Sequence, residues 1–164
     1  MAKKAKRKGK FLAKSMKIDL YSAKFKIFFF VLFVIYFAFL LRLAVFRDGF
    51  DVGRVFEVGK YNLVPFLDYA NVWQSGGFAS FCRLFFGNLG WFFPLGFFTR
   101  YKFPRLKTAK ILVFGFLFSL CVEISQFVFK VGVFEVDDLI LNTLGVFLGV
   151  KFCEFILKIC ESKV

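Results

Sequence analysis

The sequence predicts an all-α membrane protein: a bundle of four transmembrane helices with an outward-facing polar layer and a long first extracytoplasmic loop. Three observations predict it. The 164 residues are 59% hydrophobic, include 30 Phe, and still carry 21% charged residues, so charge is segregated from apolar runs. The mean hydropathy is +0.70. Several apolar runs are long enough to cross about 30 Å of hydrocarbon at about 1.5 Å per helical residue.

Residues 1–26 read as a basic cytoplasmic tail. They hold ten of the 24 Lys and Arg, with only Asp19 against them. The following segment is plainly a span, so the tail reads as topogenic and lipid-facing, and no nucleic acid is expected as a partner. The first span is Ile27–Phe46, too long for a signal-peptide core and followed by no convincing cleavage site, so it is read as uncleaved. The next 31 residues, Arg47–Gly77, form the long first loop. Its "FDVGRVFEV" alternates and suits a short hairpin or a membrane-surface segment. Tyr61, Tyr69 and Trp73 suit the headgroup level. The remaining spans are about Phe78–Phe98, Ala109–Phe129 and Leu139–Ile159, and they complete a domain over 27–159. A short tail, 160–164, ends the chain.

Orientation follows from loop charge. The loop after span two holds Arg100, Lys102, Arg105 and Lys107 and no acid, whereas the first loop has three basic residues and four acids. Both termini are therefore expected to be cytoplasmic. The four cysteines form no CxxC pair and sit in apolar segments, so they read as hydrophobic filler.

Each span carries a polar residue at a similar depth. Arg42, Arg83, Glu123 and Asn142 each lie a few residues inside the expected outer end, roughly 5–9 Å below the boundary. A charge in a span costs about 2.5–3.5 kcal/mol at the helix centre, so it needs a partner or a purpose. Ion-paired packing and snorkelling arginines explain such a layer structurally; a ligand site explains it functionally.

Helical spacing adds direction. Glu123 and Gln126 are three apart and share a face. Asp138, Asn142, Gly145 and Gly149 form one stripe whose lower half is a GxxxG approach motif. Span two has a similar stripe of Arg83, Gly87, Gly90 and Pro94, with a kink expected near Gly90. Asn88 lies about 140° from Arg83 around the helix, so the two need not share a partner. One of Asp137 and Asp138 suffices to cap the last helix, facing its positive end. The other needs a separate reason. No cofactor is expected; a divalent cation held by Glu123, Asp137 and Asp138 is the reserve reading, which the spacing does not single out.

The ordered set "NLVPF" (Asn62–Phe66), "GNLGWFFPLGF" (Gly87–Phe97), "EISQ" (Glu123–Gln126) and "VFEVDDLILNTLGVFLG" (Val133–Gly149) resembles the VanZ-like family. The resemblance covers about residues 27–155. The matched polar positions are Asn62, Asn88, Glu123, Gln126, Asp137, Asp138 and Asn142. Two positions depart from the pattern: Glu135 stands where Asp is usual, and Lys130–Val133 lacks the arginine often found there. Lys130 is a point charge and not a bidentate fork. The resemblance implies a small multi-pass protein of a bacterial cytoplasmic membrane, associated with resistance to teicoplanin, a glycopeptide with a fatty-acyl tail. It implies an association and not a reaction.

Three functions follow as expectations. The first is a non-enzymatic factor that binds, or alters access to, a lipidated or lipid-linked envelope molecule at the outer face, such as a cell-wall precursor or a lipoglycopeptide. Membrane lipids would be its other partners. The second is an enzyme on an envelope lipid, with Glu123, Asp137 and Asp138 as acid–base groups or cation ligands. The chain has no His, which removes Ser-His and His-metal chemistry, and the sequence leans away from catalysis. The third is a structural protein oligomerising through Gly145–Gly149.

Overall fold

The structure is a computed structural model and describes residues 23–46 and 59–162. Most of the basic N-terminal tail, the "FDVGRVFEV" stretch and the last two residues lie outside the described residues. The elements in order are α1 (Ala23–Ala44), β1 (Lys60–Asn62), α2 (Leu67–Lys102), α3 (Thr108–Phe129), β2 (Val133–Glu135) and α4 (Val136–Ser162). All four helices are long and apolar enough to cross a membrane. The chain is thus an all-α, multi-pass membrane protein, as its composition predicts.

Two compact units divide the chain, residues 1–32 and 33–164. In the first, residues 23–32 are helical, and the Phe28 and Phe29 rings meet edge to face. The second holds the core and the site.

Within the second unit, Leu40, Phe92, Leu95, Ile111, Val146 and Val150 form the buried centre. Lipid tails are as apolar as these side chains, so close packing and hydrogen bonds hold the helices together more than the hydrophobic effect does. The tightest joint is between α2 and α4. A Cβ on Gly145 would lie 2.3 Å from the Leu89 carbonyl oxygen, and one on Gly149 would lie 2.0 Å from that of Phe93. On the other side of the joint, a Cβ on Gly96 would lie 2.0 Å from the Val146 carbonyl oxygen. The GxxxG of α4 thus works inside the chain, against α2. The glycine that α2 contributes is Gly96, whereas Gly87 and Gly90 face open space. Tyr36 ties α1 to α2 by donating its hydroxyl to the Trp91 carbonyl at 2.6 Å.

Helix α2 begins earlier than the sequence predicts and breaks in a different place. Residues 67–76 are helical before a break at Gly77, whose φ of 69° suits glycine best. The helix then resumes at Phe78, the predicted start of span two. It keeps helical dihedrals through Gly90 and Pro94, so no break accompanies the proline, and the one at Gly77 is a separate feature. A proline disturbs the turn before it only moderately where neighbouring helices hold the segment.

Two short strands interrupt the all-helical plan. β1 and β2 pair in parallel, with Lys60 opposite Val133 and Asn62 opposite Glu135. The first loop is therefore anchored to the α3–α4 connection. At the opposite end of the bundle, Arg100 is buried rather than free in a loop. It donates to the carbonyls of Pro104 and Leu106 and to the Thr108 hydroxyl, and it pairs with Glu154 at 3.1 Å. Cys82, Cys121 and Cys153 are unbridged, and of these three only Cys153 is buried.

Candidate functional site

A chamber of about 980 Å³ opens between the helices near the β1–β2 pair. α1 contributes Leu40, Arg42 and Leu43 to its wall, and α2 contributes Asn88, Trp91 and Phe92. α3 contributes Val122, Glu123 and Gln126, and α4 contributes Asp138 and Asn142. The α3–α4 connection closes the wall with residues 131–133 and Glu135. Six of the nine polar residues predicted from sequence therefore meet in one space.

Each is positioned by a definite contact. Glu123 is 1% exposed, and its Oε2 accepts the backbone N–H of Glu135 at 3.0 Å. Asn142 donates to the buried Ser119 hydroxyl at 2.9 Å. Asn88 donates to Asp138 and, at 3.1 Å, to the Tyr69 hydroxyl. The Glu123 and Asp138 carboxyl groups interact with each other across the α3–α4 gap. Gln126 is accommodated because residue 132 is glycine: a Cβ there would lie 2.6 Å from its side-chain oxygen. The turn that brings this about is capped by Lys130, in the left-handed conformation with φ 55°. The residue at the family's missing arginine thus shapes a turn. Arg42 donates to the Phe46 carbonyl at the end of α1.

Three predicted residues lie elsewhere. Arg83 is exposed and outside the chamber wall, on the far side of α2 from Asn88. Arg83 shares α2 with Asn88 but not its face. Asp137 is buried, and both of its oxygens accept the Phe66 backbone N–H, at 2.8 and 2.9 Å. Phe66 has φ 60°, an uncommon conformation for a bulky side chain, and it stands at the head of α2. Asp137 therefore braces the first loop rather than serving as a chamber ligand. Asn62 does related work: it donates to Asp68 at 2.8 Å and accepts the Val64 N–H at 3.1 Å. Asp138, the second of the pair, turns to Asn88 and the chamber. This answers why α4 starts with two aspartates.

Sequence reasoning missed Glu135, Ser119 and Tyr69 as site residues. In the sequence, Glu135 stands out as one acid of the α3–α4 connection and as a departure from the family pattern. Burial, with the charges of Asp138, Asp68 and Asp137 nearby, pushes its carboxyl up to about 7. Ser119 shares α3 with Glu123 at an i, i+4 spacing, a signal that was available.

The fold and the site define a class: a small multi-pass membrane protein whose helices enclose a chamber of amides and carboxyl groups. The chain matches the VanZ/LLP1 family model over residues 22–158, and it belongs to that family. It is 30% identical over 122 residues to Protein VanZ of Enterococcus faecium, a match that covers 73% of this chain and 70% of that protein. No solved structure matches significantly.

Proposed function

We propose that the protein is a non-enzymatic membrane factor that binds, or alters access to, a lipidated or lipid-linked molecule of the cell envelope. The observation that carries this reading is the chamber, where polar groups from four helices meet apolar walls from Leu40, Leu43, Trp91 and Phe92. An amphiphile needs both kinds of surface. Loop charge supports an orientation in which the chamber opens to the outer face of the cytoplasmic membrane, with both termini inside.

Expression in a sensitive bacterial host tests the reading. The expected outcome is greater tolerance to an acyl-tailed glycopeptide of the teicoplanin type than to an untailed one. Equal change for both, or none, would count against it. Glu123→Ala that inserts normally but loses the phenotype ties the effect to the chamber. Loss of insertion would instead mark Glu123 as a packing residue.

The enzymatic reading is weaker, because Asp137 is committed to Phe66 and its acid–base or cation set shrinks to Glu123 and Asp138. The Gly145–Gly149 face is filled by α2, so oligomerisation would have to use another surface.

A further inference from the structure

The chamber wall carries more acid than base. Glu123, Glu135 and Asp138 line it, against one guanidinium from Arg42. Arg42 is partly occupied with the Phe46 carbonyl at the rim of α1. The other predicted arginine, Arg83, stands outside. A phosphate or carboxylate ligand would therefore meet three carboxyl groups and little positive charge.

Hydrogen-bond capacity points the same way. An ionised carboxyl has about four acceptor sites and no donor. Glu123 receives the Glu135 N–H and meets Asp138, and Asp138 also receives Asn88, so each carboxyl keeps acceptor sites open to the chamber. The acids also crowd one another. Glu135, the one of the three in the connection between helices, is held up to about 7 by burial and by neighbouring acids. A cation in the chamber relieves that crowding and adds donors for these acceptors. Trp91 also lines the wall, and an indole attracts a cation that reaches its ring face.

We infer that the chamber recognises an ammonium group carried on an amphiphile, with Glu123, Glu135 and Asp138 as its acceptors and Leu40, Leu43, Trp91 and Phe92 along its apolar part. The inference rests on the chamber-binding reading above and narrows it from any envelope amphiphile to an amine-bearing one. An ammonium has three donors and no acceptor, which complements a wall rich in acceptors. The ligand's source is either an aminolipid headgroup or a soluble amine.

The test uses the full chain in phosphatidylcholine nanodiscs. Trp73→Phe leaves Trp91 as the single indole, since the chain has two Trp. Its fluorescence is followed during titration with dodecylamine, dodecyl phosphate and butylamine. Empty nanodiscs correct for partitioning into lipid. Dodecylamine is expected to saturate at a concentration at least about tenfold lower than dodecyl phosphate, a gap of about 1.4 kcal/mol. Asp138→Asn and Glu135→Gln should each weaken dodecylamine binding about tenfold, while Arg83→Gln leaves it unchanged. Glu135 lies in β2, outside the helices, so its variant keeps the test alive if a helix variant fails to fold.

Dodecyl phosphate binding as tightly as the amine would overturn the ammonium inference and leave chamber binding intact. So would full dodecylamine affinity in both carboxamide variants. No saturable binding of any amphiphile would overturn both readings. Saturation by butylamine with the same variant dependence supports ammonium recognition and points to a soluble amine. Saturation by dodecylamine alone supports it and points to a lipid.

Discussion

Helices α2 and α4 meet in two ways along their length. Around Gly96, Gly145 and Gly149 their backbones touch, and a single added carbon would strike a carbonyl oxygen. Nearer the β1–β2 pair, the same two helices part around Asn88, Asp138 and Asn142 and enclose the chamber with α1 and α3. The sealed half has no side chains in the way and no room for a ligand. The open half has long polar side chains and space between them. One stripe on α4 changes from Asp138 and Asn142 to Gly145 and Gly149 where the helix pair passes from one regime to the other. Side-chain size, residue by residue, thus decides where a site can exist.

The largest test of that contrast is in the sealed half. Gly149→Leu or Gly96→Leu should cost about 3 kcal/mol, the upper end of the overpacking range, because backbone and not a movable side chain blocks the new group. Thermal unfolding of the purified protein reads it. Gly87→Leu should be nearly neutral, since nothing lies within 4 Å of its Cβ position. Equal losses at Gly87 and Gly149 would refute the placement of the seam.

A smaller effect is expected where the first loop is held. Asp137→Ala removes the acceptor of the Phe66 N–H and should cost about 1.5–3 kcal/mol, the range for bonds to a charged partner. Hydrogen exchange at residues 60–66 should speed up markedly, while exchange in α3 changes little. Unchanged protection at Phe66 would dismiss the brace.

Next comes the buried pair in the open half. Ser119→Ala leaves the Asn142 amide without its partner and should cost about 0.6–1.7 kcal/mol, as measured for polar pairs between membrane helices. The double variant Ser119→Ala with Asn142→Leu should lose less than the two single losses added together. Strict additivity would mean that the two residues do not cooperate.

The smallest effect concerns pH. Glu135 rises from its ordinary value near 4.5 to about 7 in the fold. A raised acid contributes stability below its unfolded value and loses it as pH climbs through the folded one. Unfolding temperature should therefore decline between pH 4.5 and about 7, and Glu135→Gln should flatten part of that decline. An identical slope in the variant would remove Glu135 as a contributor.

The four spans were legible because each is an apolar run long enough to cross a membrane. The stripe on α4 was legible too, because a glycine spacing and two polar residues fix a face. The facing of α2 was not. Phenylalanine surrounds that helix, so no apolar stripe tells Arg83 from Asn88, and only the partner helix does. Gly96 could not be found either, since a lone glycine in "FPLGFF" carries no spacing signal. The Phe66–Asp137 brace joins residues 71 apart, and nothing local to either one announces the other. Glu135 became visible as a site residue only once the turn at Lys130–Gly132 had folded it against Glu123.

The parallel pairing of β1 and β2 has a further effect on the glycine seam. β1 leads towards α2, and β2 runs directly into α4, with Asn62 fixed opposite Glu135. The strand pair therefore acts as a gauge that sets how far α2 stands along α4. A slip of one residue would displace the two starts by about 3.3 Å, more than half of a 5.4 Å helical turn. A shift that passed the Gly77 break would carry Gly145 and Gly149 away from the Leu89 and Phe93 carbonyls. Three residues of strand at one end thus set the register from which that contact starts.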